Sequence, residues 1–330
     1  MIPTATAADD PAGLLGASAE DFGERTNPFR RELLVHCYRM LGSIDDAEDA
    51  VQEAFARAWR SRATFRESIS VRAWLYRIAT NVCLDAIERR RRTAGPSERP
   101  EVGPIPDDVL DAASDPEARY DAHESISLAF LTALQVLPPR QRAVLILRDV
   151  LAWRATEVAG LLELSVPAVN SALHRARATI ATTDGATGTT SSRAQGAAVA
   201  TGRLRDLLDR YVRAWEAADI PGLVALLRDD AIVSMPPGLT IRGRDAIAAF
   251  LANAVFVGGL RIRLRPVGAN RAPAFAIYSG APGEDALGAF AVLVLEADDA
   301  AVGRMSVFAD PRVIERFGLA PTIAADPVRP

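Results

Sequence analysis

A group of acidic and amide side chains on one predicted helix could form a binding surface. The sequence DDAEDAVQEAFARAWR has helical apolar spacing, and Asp49, Gln52 and Glu53 lie within one turn of each other on its outward face. Carboxylates at this spacing suit an arginine-bearing partner, because bidentate pairing adds orientation to charge. On an isolated helix the same face is typical of a solvated surface.

The arginines that follow suit a different partner. Residues 60–92 contain nine arginines against three acidic residues, whereas residues 93–125 contain nine acidic residues against two arginines. Blocks of opposite charge indicate separate roles. The whole-chain charge of −4 therefore hides a basic segment that suits nucleic-acid phosphates.

Helical periodicity and turn residues place these groups on elements. The pattern predicts helices over residues 28–43, 45–60, 71–92, 121–136, 139–150, 154–162 and 166–180. Prolines and acids make residues 93–120 a linker that is neither helix nor strand, and small residues make 181–202 a flexible linker.

From about Arg203 the pattern changes to mixed helices and strands. An amphipathic helix at 203–219 leads into a short helix LVALLRDD, and a further helix covers 242–255. Runs rich in Val, Ile and Phe predict strands at 231–238, 260–267, 274–280, 289–298 and 302–310. We expect an α+β domain over 203–320 with a curved antiparallel sheet, followed by a tail at 321–330.

Composition excludes several classes of protein. A chain of 330 residues has room for two or three domains, and no window approaches the roughly 18 apolar residues of a membrane span. The Ala-rich, acidic residues 1–24 lack the features of a signal peptide, so we expect a disordered arm on a cytoplasmic protein. Cys37 and Cys83 are predicted to be buried thiols. His36, His123 and His174 show no ligand spacing, so no metal or cofactor is expected.

The motif DAVQEAF resembles the core-polymerase-binding segment, region 2.2, of the sigma-70 family. In that family an Asp, a Gln and a Glu at this spacing meet the clamp helices of the largest polymerase subunit. The resemblance therefore implies that Asp49, Gln52 and Glu53 contact core RNA polymerase.

The segment FRESISVRAWLYRIATNVCLDAIERRRR resembles regions 2.3 and 2.4 of the extracytoplasmic-function branch of that family, which melt the minus-ten promoter element. A flipped base and an exposed single strand need a shaped pocket and positive charge along the backbone. The resemblance places Arg66, Ser68 and Ile69 in the loop and Arg77 and Asn81 on the helix face. It assigns backbone phosphates to Arg89, Arg90, Arg91 and Arg92. Trp74, which lies between apolar neighbours, is interpreted as core rather than as a stacking platform.

Residues 134–180 resemble sigma region 4, a helix-turn-helix with its turn at Leu164–Ser165. The last helix would read the minus-thirty-five element in the major groove. The resemblance implies that base edges meet Pro167, Ala168, Asn170 and Ser171, and that phosphates meet His174, Arg175 and Arg177. Leu164 and Asn170 depart from the usual Gly and basic residue, so we expect an unusual promoter preference. The acidic linker matches a family segment that threads through the polymerase, although a plain tether is equally compatible with its composition.

The C-terminal part resembles the SnoaL-like polyketide-cyclase family, a cone of a bent sheet and helices. The motifs are RYVRAWEAADIPGLVALLRDDAIVSMPPG and IRGRDAIAAFL. Candidate residues for a cone pocket are Tyr211, Trp215, Met235, Phe250, Phe275, Phe290 and Phe308, each more readily explained as core. Asp229, Asp230 and Asp310 are the nearest acid candidates. Without a histidine or a paired acid, an enzymatic role is disfavoured.

The resemblances together imply a multidomain protein with two all-α sigma domains, region 2 at 25–92 and region 4 at 121–180, plus an α+β cone. We expect an alternative sigma factor, not an enzyme. Its partners would be the beta and beta-prime subunits of core RNA polymerase, promoter DNA and an anti-sigma factor, with no membrane. The cone would regulate activity by docking on the sigma domains or their linker. The rival interpretation is a stand-alone helix-turn-helix regulator with a ligand-binding C-terminal domain.

Overall fold

The computed structural model describes residues 18–65, 70–93, 102–111, 126–187, 202–236 and 238–325. These residues form two compact units. The first contains Met1–Gly103 and Val109–Ser191, and the second contains Pro104–Asp108 and Ser192–Pro330. Short stretches of the predicted linker therefore belong to different units.

The first helical segment, described over residues 18–65 and 70–93, contains four α-helices in that described part. They are α1 Ala19–Thr26, α2 Arg30–Leu41, α3 Ile44–Ser61 and α4 Val71–Thr93. Gly42 ends α2 in the left-handed conformation, with φ 79°, and Ser43 caps α3 by accepting a hydrogen bond from the Asp46 amide. The tight turn lets α2, α3 and α4 pack on one another through small and apolar residues such as Ala47, Val51 and Cys83. The predicted helices over 45–60 and 71–92 are confirmed.

The N-terminal prediction needs a correction. Residues 19–24, expected to belong to a disordered arm, are the first part of α1. Ser18 and Asp21 form a reciprocal capping box, and Phe22 is buried with its ring against Trp59, 5.3 Å between centroids. A capping-box pair followed by an aromatic residue was a readable helix signal.

The second helical segment, residues 126–187, holds the predicted helix-turn-helix. Its helices follow a short described stretch, α5 Asp107–Asp111, and are α6 Leu128–Val136, α7 Pro139–Leu145, α8 Ala155–Leu162 and α9 Val166–Thr187. A π-helical turn, Ile146–Val150, extends α7. Val158, Ala159, Val169 and Leu173 are buried where these helices pack. The helices expected at 139–150, 154–162 and 166–180 are therefore confirmed.

The second unit is an α+β domain, as predicted. Its helices are α10 Gly202–Glu216, α11 Ile220–Ala225, α12 Arg244–Phe250 and α13 Pro311–Arg316. Its strands are β1 Leu227–Met235, β2 Leu239–Arg242, β3 Arg261–Ala269, β4 Ala272–Gly280, β5 Ala286–Ala297, β6 Val302–Phe308 and β7 Thr322–Ala324.

The sheet has the order β2-β1-β6-β5-β4-β3, with β7 added to β5. The β1–β6 pair is parallel and the other pairs are antiparallel, so the expectation of a purely antiparallel sheet is corrected at one pair. One face packs against α10 to α12 around Tyr211, Ile247 and Leu293. The long connection after β2 leads to β3 and β4, which lie at the opposite edge of the sheet from β2 and are joined by a two-residue turn.

One boundary in this unit differs from the prediction, and three short elements were not predicted. The expected helix LVALLRDD is helical only through Ala225, and Leu227–Asp230 already belong to β1. The register explains this, because Leu227 pairs with Val302 and buries its side chain in the core. The short edge strands β2 and β7 and the helix α13 were not predicted. Asp310 followed by Pro311 is a helix-start signal that marked α13.

Candidate nucleic-acid interface

The acidic face of α3 is positioned by the buried face of the same helix. Ala47, Ala50, Val51, Ala54 and Ala58 are buried, which leaves Asp49 and Gln52 exposed and Glu53 half-exposed, as predicted. The three side chains therefore lie together on one outward surface.

Glu53 is held in place by neighbouring arginines. Its Oε1 accepts hydrogen bonds from Arg57 Nε at 2.7 Å and from Arg60 Nη2 at 3.2 Å, and Arg57 Nη1 also donates to Asp85 Oδ2 on α4 at 2.8 Å. The hydrogen bond from Arg57 lowers the pKa of Glu53. The carboxylate is thus ionised and oriented at the surface.

Helix α4 carries the predicted single-strand surface. Exposed side chains at its C-terminal end are Arg89, Arg91 and Arg92, whose positive charges also complement the helix dipole. Asn81, nearer the middle of the helix, is exposed as well. Arg90 forms an ion pair with Asp46, so its guanidinium is already engaged within the unit. Arg66, Ser68 and Ile69 lie outside the described residues.

Trp74 is core, as interpreted. It is 9% exposed, and its ring meets Phe65 edge-on at 5.0 Å between centroids. The burial excludes it as a stacking platform for a base in this conformation.

The last helix of the helix-turn-helix, α9, exposes the predicted DNA-facing positions. Val169, Ala172, Leu173 and Ala176 face inward. The outward positions are Pro167, Asn170, Ser171, His174, Arg175 and Arg177, with Ala168 half-buried. Arg175 Nη1 donates to Ser171 Oγ at 2.6 Å, and Arg177 is held by both carboxylate oxygens of Asp149 at 2.7 and 2.8 Å. Arg177 therefore has its Nε and Nη2 groups engaged by Asp149, while its side chain remains 61% exposed.

The turn before α9 differs in detail from the prediction. The turn begins one residue earlier than predicted, at Glu163, which adopts the left-handed conformation with φ 56° and ψ 46°, and it includes the expected pair Leu164–Ser165. A non-glycine residue in this conformation costs roughly 1 kcal/mol. The Glu163 carboxylate forms an ion pair with Arg77 of α4. The structure therefore brings a predicted minus-ten residue against the turn of the helix-turn-helix.

The first helical segment also has a buried polar centre. His36 Nε2 and Thr80 Oγ1 are 2.9 Å apart, and Thr80 donates its proton to Tyr76 O. His36 Nε2 is therefore the donor in this pair. Burial, together with the charges of Arg39 and Arg72, lowers the pKa of His36 to about 3. His36 is consequently neutral at physiological pH.

The two cysteines are buried thiols, as predicted. Cys37 and Cys83 are free and 0% exposed. Burial raises the pKa of Cys83, and so does its contact with Cys37. Protonated, inaccessible thiols are unreactive. Among the described residues no group of His, Cys, Asp or Glu has the arrangement of a metal site.

Most of the candidate cone-pocket residues form core. Tyr211 and Phe275 belong to the main buried cluster, and Trp215 and Met235 pack against it. Phe308 is buried and Phe250 half-buried. Phe290 is a correction, because it is the extra residue at a β-bulge on β5 and is 47% exposed. The bulge turns its side chain away from the inner face.

Among the acid candidates of the cone, Asp229 and Asp230 are exposed and Asp310 is half-buried, and all three are paired. Asp229 pairs with Arg244 at 3.0 Å, Asp230 with Arg228 at 2.8 Å, and Asp310 caps α13 and pairs with Arg312. Hydrogen bonds from these arginines lower the pKa of Asp230 and of Asp310. A general base instead needs a pKa near the working pH.

Sequence reasoning missed the place where the linker meets the cone. Asn270 and Arg271 form the two-residue turn between β3 and β4, with φ 53° and 57°. Pro106 forms an antiparallel bridge with Ala269, and the Arg271 amide donates to Asp107 Oδ1 at 2.8 Å. Residues 104–108 are thus bound to this hairpin, which corrects the expectation of a linker without bridge or helix. An Asn in a two-residue turn is typical of a hairpin, but nothing in the local sequence indicates that residues 104–108 bind to this hairpin.

These surfaces correspond to known families. Family models match sigma-70 region 2 over residues 27–93, sigma-70 region 4 over 127–180 and a SnoaL-like domain over 208–302. The chain belongs to the extracytoplasmic-function branch of the sigma-70 family, and it is an alternative sigma factor with a C-terminal SnoaL-like domain. The first helical segment is region 2 and the second is region 4.

The chain is 42% identical to the ECF RNA polymerase sigma factor SigG of Mycobacterium tuberculosis over 320 residues, which cover 91% of this chain and 84% of SigG. It is 31% identical to SigE of Mycolicibacterium smegmatis over 176 residues, 53% of this chain and 65% of SigE. The crystal structure of M. tuberculosis SigJ has the same fold, with a TM-score of 0.62 at 23% identity over 90% of this chain and 99% of that chain. The described helices include none with the length and apolarity to cross a membrane.

Proposed function

We propose that this sigma factor binds core RNA polymerase through Asp49, Gln52 and Glu53. The observation that carries the proposal is the outward acidic face of α3, on which Arg57 and Arg60 orient the Glu53 carboxylate. Such a face fits an arginine-bearing coiled coil of the beta-prime subunit. The beta subunit would hold region 4, and the complex would act in the cytoplasm.

Promoter recognition is divided between α4 and α9. Arg77, Asn81 and the exposed arginines at the end of α4 would hold the melted minus-ten strand, together with Arg66, Ser68 and Ile69. Asn170 and Ser171 at the exposed start of α9 would read the minus-thirty-five element, with Pro167 and Ala168 in apolar contact with bases. Lower on the same face, His174, Arg175 and Arg177 would hold phosphates.

The SnoaL-like domain would regulate the factor rather than catalyse a reaction. Its β3–β4 hairpin binds residues 104–108, which lie between regions 2 and 4 in the sequence. Capture of this short segment would restrict how far the two DNA-reading regions separate. The ion pairs of the domain's candidate acids support a non-enzymatic role. An anti-sigma partner would act beside this internal control.

Selection of genomic fragments tests the proposal. The full chain is mixed with fragmented genomic DNA, with and without core polymerase, and bound fragments are sequenced. We expect fragments with two elements to be enriched only when polymerase is present. Enrichment of one palindromic motif by the chain alone would instead favour a stand-alone regulator, which usually binds as a dimer.

A further inference from the structure

Asp149 and Arg177 form a forked ion pair on the surface of region 4. Arg177 Nε donates to Asp149 Oδ2 at 2.8 Å, and Arg177 Nη2 donates to Asp149 Oδ1 at 2.7 Å. Two parallel hydrogen bonds fix the plane of a guanidinium as well as its position. On the same helix, Arg175 provides a contrast, because its Nη1 donates one hydrogen bond to the neutral hydroxyl of Ser171 at 2.6 Å.

The backbone that carries Asp149 is held firmly in place. Asp149 lies in the π-helical turn Ile146–Val150, which the Leu151 amide closes by donating to Ile146 O at 2.9 Å. Ile146 and Leu147 of this turn are both 0% exposed, so packing fixes the turn from below. Single π-turns at the ends of helices or inside them occur frequently at functional sites. The turn therefore presents a carboxylate whose position does not depend on a flexible loop.

The guanidinium of Arg177 keeps one edge for a further partner. An arginine has five N–H groups, and Asp149 accepts hydrogen bonds from two of them. Within the described part of the chain no other hydrogen bond of Arg177 is found, which leaves Nη1 and the second N–H of Nη2 on one edge. The Arg177 side chain is 61% exposed. That edge can donate to two phosphate oxygens at once while the ion pair persists.

Two interpretations of the pair predict opposite effects on DNA binding. If Asp149 only competes with DNA, its loss should strengthen binding, because a charge that repels phosphates disappears. If Asp149 orients Arg177, its loss should weaken binding, because DNA must then order a long side chain by itself. Most exposed ion pairs contribute little, but a forked pair between Arg and a carboxylate is the exception. The fork and the rigid turn favour the second interpretation.

We propose that Asp149 is a positioning residue for DNA binding, which holds Arg177 with its Nη1–Nη2 edge toward a phosphate beside the minus-thirty-five element. The inference rests on the proposed phosphate contact of Arg177. It adds that an acidic residue, which by charge alone opposes DNA, strengthens the contact. Because Asp149 already neutralises this cation, Arg177 contributes orientation and register more than net charge.

Asp149→Asn tests the sign of the effect. Binding of holoenzyme to a fluorescein-labelled duplex enriched in the genomic selection is measured by anisotropy at several salt concentrations. At about 0.3 M salt, where repulsion between exposed charges is largely screened, we expect about threefold weaker binding. The salt slope should become steeper by about 1, because the charge of Arg177 is no longer neutralised. Unchanged or tighter binding would show that Asp149 competes with DNA and would overturn the proposal.

Glu157→Gln is the matched control. Glu157 lies on α8 of the same region and is exposed, so its substitution removes one negative charge at a comparable distance from DNA. Gln retains an oxygen that can accept the hydrogen bond from the Arg154 amide. We expect binding by Glu157→Gln to be as tight as by the parent or tighter. A threefold loss in this variant as well would remove the special role of Asp149.

Arg177→Lys separates positioning from general damage to the fold. Lys keeps the positive charge but cannot form the fork. In this background, Asp149→Asn should no longer weaken DNA binding. The same threefold loss in both backgrounds would show that Asp149 acts through the fold of region 4 and not through Arg177, which would contradict the proposal.

NMR of the isotope-labelled full chain tests the orientation of Arg177 without DNA or polymerase. The Nε–H signal of Arg177 is identified by its loss in Arg177→Lys. Its order parameter should lie above about 0.6 in the parent and below that value in Asp149→Asn. Equal order in the two chains would refute positioning by Asp149. An Arg177 ordered by Asp149 in a chain that binds neither polymerase nor promoter fragments would instead count against the proposed function.

Discussion

Ile105 and Asn270 exchange two hydrogen bonds although 165 positions separate them. The Ile105 amide donates to Asn270 Oδ1 at 3.0 Å, and the Asn270 amide donates to Ile105 O at 3.0 Å. Both residues are buried, at 0% and 1% exposure. A buried amide left without its partner costs about 1–3 kcal/mol, so this pair fixes residues 104–108 on the cone hairpin.

Asn270→Gly should release this segment. Glycine accepts the left-handed backbone of position 270, so the change removes mainly the side-chain acceptor. We expect faster amide hydrogen exchange at Ile105 and Asp107 and altered promoter output. Asn253→Ala, which removes an exposed side-chain hydrogen bond, is the control. Unchanged exchange at Ile105 and Asp107 would show that the segment is held by other contacts.

Gly268→Ala tests the same contact by steric displacement. A Cβ at Gly268 would lie 2.9 Å from Asp107 Cβ, whereas one at Gly288 would have its nearest neighbour at 3.9 Å. Gly268→Ala should therefore reproduce the exchange increase of Asn270→Gly, and Gly288→Ala should not. Equal exchange rates of the Ile105 and Asp107 amides in both alanine variants would contradict this explanation.

Glu53→Arg should abolish much of the affinity for core polymerase. Charge reversal places like charges together at the contact and removes the partner of Arg57 and Arg60. We expect a loss of about 2 kcal/mol or more in binding free energy, measured by fluorescence anisotropy with labelled sigma factor. Glu24→Arg carries the same charge change on α1. Equal affinities of the two variants would remove α3 from the polymerase interface.

Substitutions at two positions on α9 should change DNA binding in different ways. Asn170→Ala should relax base preference at one minus-thirty-five position by about 1–3 kcal/mol, because a base-edge contact is lost. Arg175→Ala should weaken binding to all sequences and reduce the salt slope by about 1, because a phosphate contact is lost. Binding of a randomised promoter library by holoenzyme at several salt concentrations separates the two effects. Uniformly weaker binding by Asn170→Ala, or a changed base preference in Arg175→Ala, would contradict the proposed roles.

His36 should make stability pH-dependent. Its ordinary pKa of 6.5 applies in the unfolded chain and falls to about 3 on folding. Below pH 6.5 the unfolded state gains a proton that the folded state refuses, so stability falls as pH drops from 6.5 towards 3. The slope is about 1.4 kcal/mol per pH unit. Urea unfolding at pH 7.0 and 5.5 should show a larger loss for the parent than for His36→Gln, and equal losses would contradict burial of a neutral His36.

The helices of regions 2 and 4 followed from local signals. The cap residue Ser43 before α3 and the periodic apolar residues of α4 and α9 predict these helices, with ends correct to within a few residues. The exposed positions of α9 also followed, because one helical face must bury Val169 and Leu173.

Long-range pairing was beyond local patterns. The residues near Leu227 do not indicate that it pairs with Val302 in the sheet. The start of β1 was therefore predicted as the end of a helix. The Ile105–Asn270 and Arg77–Glu163 contacts join segments far apart in the sequence, and each side chain alone is typical of a turn or a solvated surface. Tertiary packing decides such positions.

Run-off transcription measures whether this chain directs core polymerase to initiate at specific promoters. Purified core polymerase and fragments from the genomic selection are combined with the full chain, with a truncation at about residue 195, and with Glu53→Arg. We expect specific initiation by the full chain and by the truncation at different levels, and little initiation by Glu53→Arg. If neither the full chain nor the truncation binds core polymerase or initiates at any fragment, the proposed mode of action is wrong.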